Sequence, residues 1–325
     1  MKNGRITIWL VLVAAVILAV PAMADTFGSG DNQFTIDFVP ISGDAGDLGN
    51  WSAGEHYTFS GVNSGDYRMG KFAITNDQWN KFVAEHGKPY GNPTYAYDHD
   101  AHWTGANVPV NNVSWYEAAQ FVNWLNTSNG YQAAYKFTGT QGTSDYTFDV
   151  WDVAEAWGGT NLYRHKNAYY FLPTEDEWVK AAYWNGMSLQ TWSTGNNAQP
   201  VANRDSRYGS GGGPWAVGSG TQELNGTYDM LGNVWEWMES PFYIGDYTSG
   251  FDRDYTGDFT FGSNKVYRGG HFSTAHTNLV SSHRSINNIH GFESHELGFR
   301  VASIPEPASL ALLFVGGLAL RRKQR

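Results

Sequence analysis

Three points in this chain announce a helix, and that number sets the fold class. Thr75-Asn76-Asp77-Gln78, Ser114-Trp115-Tyr116-Glu117 and Thr174-Glu175-Asp176-Glu177 each place a hydroxyl three residues before a Glu or Gln. This is a capping box, in which the hydroxyl and the later side chain satisfy each other's backbone N–H groups. Behind each box runs a stripe at helical spacing. The stripes are Trp79, Phe82 and Val83; then Trp115, Ala118, Ala119, Val122 and Leu125, to about Asn126; then Trp178, Ala181 and Ala182. The segments entering the first and third helices, Tyr67–Ile74 and Tyr169–Pro173, read as strands, and Phe34–Phe38 alternates in the same manner. Asn129–Lys166 reads as a surface excursion, Gly195–Gly220 as loop, and Asn225–Ile304 as short strands and turns. With 38 Gly, 14 Trp, 19 Tyr and 18 Phe, this is a compact α+β chain with much irregular backbone, not a helix bundle.

The ends carry addresses rather than fold. Lys2 and Arg5 precede an apolar run, Ile6–Val20, and Ala22-Met23-Ala24. The pattern is that of a secretory signal peptide over residues 1–24, cut by signal peptidase. At the other end Pro305-Glu306-Pro307 precedes Ala308–Leu320 and a basic Arg321–Arg325 cluster. A 13-residue helix reaches about 20 Å, short of a hydrocarbon core near 30 Å. The order of these pieces resembles the PEP-CTERM sorting signal of Gram-negative bacteria, at 305–325. That resemblance implies recognition by a membrane protease, exosortase, and display on the cell surface or in the extracellular matrix. The body between divides into an N-terminal part, 25–66, and a main part, 67–304, of one domain.

Residues 25–304 hold 15 basic and 30 acidic side chains, a formal charge of −15. Nucleic acid needs a basic patch and is excluded; carboxylates for calcium are plentiful. The chain has no cysteine. That removes a thiol nucleophile and every thiolate metal site.

Six segments in order resemble the formylglycine-generating enzyme (sulfatase-modifying factor) family. They are Tyr67–Asn76, Pro109–Trp115, Leu172–Trp178, Tyr228–Trp237, Arg268-Gly269-Gly270 and Gly298-Phe299-Arg300. The resemblance implies a C-type-lectin-like variant with three capped helices and short antiparallel strands. It also implies calcium (Ca2+), held by side chains of Asp229 and Glu236 and by carbonyls of Gly232 and Val234. A second calcium site is half present: Asn203 and the Arg204 carbonyl match, but no acid stands near Ala216.

In catalytic members two cysteines after the Arg-Gly-Gly segment hold copper and oxidise a sulfatase cysteine. Here those places fall near Thr274 and Leu279. A hydroxyl does not replace a thiolate on Cu(I). The expectation is therefore a non-catalytic binding or structural module with an unknown surface ligand, glycan or protein. The alternative is a metal-dependent oxidase of the same broad family that works without the cysteine pair. His271, His276, His283, His290 and His295 match no ligand spacing and read as polar loop residues, as do His99 and His102 beside Asp98 and Asp100. Trp235 and Trp237 read as core.

Overall fold

A computed structural model describes residues 24–45, 65–159, 161–242 and 264–305. The signal-peptide run and the apolar part of the sorting tail lie outside these residues.

All three capping boxes form as reciprocal pairs and start the three α-helices: α1 (Asn76–His86), α2 (Trp115–Ser128) and α3 (Glu175–Tyr183). The α1 stripe docks as its spacing requires, with Phe82 fully buried and Trp79 and Val83 packed against the core. Helix α3 is buried at every one of its nine positions, acids included, so it runs through the interior rather than over it. The principal sheet has five strands in the order β1 (Ala24–Phe27), β2 (Phe34–Ile41), β3 (Tyr67–Gly70), β13 (Ala302–Ser303) and β8 (Tyr170–Phe171). The N-terminal segment is thus an integral edge of the domain, and the last strand of the chain sits between β3 and β8. Arg68 clasps the two ends. Its guanidinium donates to both Asp25 carboxylate oxygens (3.0 and 2.6 Å), and its Nε to Ser303 Oγ (2.8 Å).

A second sheet follows the order β11 (Ser285–Ile289), β10 (Asn264–Arg268), β9 (Trp235–Phe242) and β12 (Leu297–Gly298). Among the described residues the last third of the domain is mostly strands and turns, as the sequence indicates. The segment Asn129–Lys166 departs from its reading as a surface excursion. It forms two hairpins, β4 (Lys136–Thr138) with β5 (Thr147–Asp149) and β6 (Ala156–Trp157) with β7 (Asn161–His165). Tyr135, Phe148, Tyr163 and Arg164 from this segment are buried. Its polar look arises because Arg164 enters the core only with two glutamates, Glu177 (2.8 Å) and Glu239 (3.0 Å).

Buried arginines organise the interior. Arg268 and Arg284 both hold Glu175 (2.6 and 2.7 Å), and Arg300 holds Glu236 (2.6 Å). A charge taken from water is tolerated only when paired and hydrogen-bonded. Each of these pairs joins segments far apart in sequence, so each closes the fold.

Candidate functional site

The Tyr228–Trp237 run is a hub for three loops. Gly232 N–H donates to the Gly269 carbonyl (2.7 Å), Asn233 N–H to Arg207 (2.7 Å), and Phe272 N–H to Asn233 (3.0 Å). Gly232 has φ +84°, and a Cβ there would lie 2.1 Å from the Arg207 carbonyl oxygen, so only glycine fits. The carboxylates of this loop are engaged by protein donors. Asp229 accepts from Trp215 Nε1 (2.8 Å) and Gly218 N–H (2.7 Å), while burial pushes its carboxyl up. Glu236 accepts from Arg300 at both oxygens (2.6 and 2.7 Å) and from Trp178 Nε1 (2.7 Å). A carboxylate offers about four lone-pair positions, so Glu236 keeps one and Asp229 keeps two. For calcium, Asp229 and the carbonyls of Gly232 and Val234 suit the oxygen chemistry, whereas Arg300 already neutralises Glu236. In the half-present second site, the Asn203 side chain accepts from Arg207 (2.5 Å).

The two positions that correspond to family cysteines face inward. Thr274 is buried and its hydroxyl accepts from His271 N–H (2.9 Å). Leu279 is fully buried, and it closes on Gly270, where a Cβ would stand 2.3 Å from the leucine methyl. Both are packing positions in this chain.

Beside them two loops run together at the surface, 98–103 and 290–296. His102 and His295 have ring centroids 5.2 Å apart, and His102 lies against Trp103 (4.6 Å). Trp103 meets Phe272 edge-on (5.7 Å), and Phe272 meets His271 (5.2 Å). His271 and His295 both face Glu296 (3.3 and 3.9 Å). The sequence reads these histidines as unrelated loop residues; the fold gathers three of them into an aromatic strip. His290 departs from that reading: it is buried, stacked on Tyr116 and edge-on to Trp115. His276 is exposed, and Trp235 and Trp237 are core. His99 continues the strip, against Glu293 and Asp98 (2.5 and 2.7 Å). Glu293 carries no motif, and only its place 194 residues from His99 in the chain, across two loops, gives it a role.

A family model, the sulfatase-modifying factor enzyme 1-like domain, matches residues 37–304. The chain belongs to this family. Residues 303–324 match the PEP-CTERM protein-sorting motif, which indicates exosortase-dependent export to the cell envelope or surface. Among the described residues no helix is long and apolar enough to cross a membrane. A curated relative, hercynine oxygenase of Mycolicibacterium smegmatis, is 26% identical over 181 residues, 54% of this chain. The match spans only 37% of that protein's length. The chaperone protein LppX of Paenibacillus barcinonensis is 27% identical over 257 residues, 72% of this chain and 82% of that one. Among solved structures, Treponema denticola variable protein 1 superposes with TM-score 0.59 at 22% identity, covering 87% and 99% of the two chains. A protein named CarF gives 0.56 at 20%, covering 83% and 99%. These structures share the family's C-type-lectin-like α+β fold.

Proposed function

We propose that this chain is an exported, non-catalytic binding module displayed at the surface or in the extracellular matrix of a Gram-negative cell. Its recognition face is the strip of His102, Trp103, His271 and His295, backed by the buried Phe272. The observation that carries this reading is the pair Thr274 and Leu279. Where catalytic relatives place thiols, this chain places a hydroxyl bonded within its own turn and a core leucine. Carbohydrate is the ligand class best matched to the strip, because aromatic planes stack on sugar C–H faces while imidazoles donate and accept hydrogen bonds. A formal charge of −15 over residues 25–304 disfavours polyanions. Calcium, carried over from the resemblance, would draw on Asp229 and the carbonyls of Gly232 and Val234.

A metal-dependent oxidase is the second reading, favoured by the imidazoles on the strip. One experiment separates the two. Residues 25–304 are incubated with copper or iron, oxygen and a cysteine-bearing sulfatase peptide, and the same preparation is applied to a glycan array. The binding reading expects no aldehyde by mass spectrometry and glycan signal lost in Trp103→Ala. Aldehyde above a no-protein control would overturn it.

A further inference from the structure

Glu175, Glu177, Glu236 and Glu239 are each buried against an arginine. Glu293 has none among the described residues. Its side chain is 1% exposed, and its Oε1 is buried with no hydrogen-bond donor among the described residues. The neighbour within hydrogen-bonding reach is another acid, the buried Glu117. Glu117 is already committed through Oε2 to the Ser114 N–H of the α2 capping box (2.8 Å). The nearby lysine, Lys88, is paired with Asp100 (2.9 Å). The other oxygen of Glu293 stands 2.5 Å from His99 Nδ1, and the same nitrogen stands 2.7 Å from Asp98 Oδ1. One ring nitrogen carries at most one proton, yet two carboxylates converge on it. Among the described residues this is the one group of three such side chains whose ligand atoms lie within 4.8 Å of one another.

We propose that Asp98, His99 and Glu293 form a divalent-cation site that takes a first-row metal such as Zn2+ or Mn2+. A cation at the convergence neutralises Glu293 through Oε2, the oxygen that faces His99, and it replaces the over-shared imidazole proton. One imidazole and two carboxylates are a mixed nitrogen–oxygen set, which favours such metals over calcium. Ligand atoms about 2.0–2.1 Å from a tetrahedral ion lie roughly 3.3 Å apart, so ring and carboxylates must part by under about 1 Å. Asp98 and His99 are exposed and free to do so. A cleft of about 270 Å³, lined by Lys88, His99, Asp100, Asn111 and Glu117, adjoins the group and leaves room for water or a ligand oxygen to complete the shell. The bound ion would tie loop 98–103 to loop 290–296, the two that carry the strip. The site stands whether or not the strip binds carbohydrate.

The test is calorimetric titration of the chelator-stripped domain with ZnCl2, and separately MnCl2, with melting temperature as a second readout. The expected result is one tight site per chain and a higher melting temperature with metal. His99→Gln, an exposed substitution that spares the fold, should weaken the tight site at least tenfold, and Glu293→Gln should do the same. His276→Gln, an exposed histidine outside the group, should leave it unchanged. Absence of a tight site in the wild type would overturn the proposal, and so would a tight site indifferent to His99→Gln. In either case a shared proton, not a metal, neutralises Glu293.

Discussion

Two regions of this molecule use the same acidic side chains to opposite ends. In the interior, Glu175, Glu177, Glu236 and Glu239 are each locked to arginine with side chains no more than 4% exposed. On the strip, Asp98, Glu293 and Glu296 face histidines instead. The difference assigns roles. Arginine cannot release its proton, so its pairs are permanent and belong to the scaffold. Histidine exchanges protons, metals and ligands near neutral pH, so its pairs are where chemistry or recognition can occur. The family's motifs fall on the scaffold side, and they pair in space: Glu175 of the third segment with Arg268 of the fifth, Glu236 of the fourth with Arg300 of the sixth. Their fixed order along the chain records which salt bridges must close.

That contrast breaks first at Arg300. Arg300→Met leaves Glu236 buried without its counter-charge and should cost about 3–5 kcal/mol in urea denaturation. Adding Glu236→Gln should recover part of the loss; a cost under about 1 kcal/mol would move this pair out of the scaffold. A second test uses Glu223, half-buried and accepting from Ser193, Thr227, Met230 and Leu231. Burial pushes its carboxyl up to about 7. The folded chain then keeps a proton that the unfolded chain releases near pH 4.3, so stability is greatest in mild acid. It should fall by about 1 kcal/mol per pH unit as pH rises toward 7, then level off, and Glu223→Gln should flatten that slope.

Calcium gives a smaller effect. At tenfold excess over its Kd it should add about 1.4 kcal/mol, visible as a higher melting temperature in the wild type and absent in Asp229→Ala. If chelation leaves the wild type unchanged, the loop is held by protein donors alone. Least of all should His102→Ala alter stability, within about 0.5 kcal/mol, while it removes glycan signal from the array. A large loss of stability there would make the strip part of the scaffold.

The helix starts were legible because a capping box is complete within four residues. Motif identity and chain order were legible for the same local reason. The partners of the motif acids were not, since Glu175 meets Arg284 across 109 residues and Glu236 meets Arg300 across 64. Asn129–Lys166 was misread because Arg164 looks like surface until its two glutamates are known. Glu293 was invisible for the opposite reason. Its significance lies in a missing arginine, and a sequence does not show which charges lack a partner.

The position of β13 bears on how the protein leaves its membrane. The match to the sorting motif begins at Ser303, the second residue of a strand held between β3 and β8 and gripped by Arg68. The address label is therefore sewn into the garment, with no spare thread between. A cut at or beyond Pro305 frees a domain whose principal sheet is whole. A cut three residues earlier takes Ser303 from Arg68 and opens the sheet between β3 and β8. The sorting motif thus begins inside a strand that the principal sheet needs.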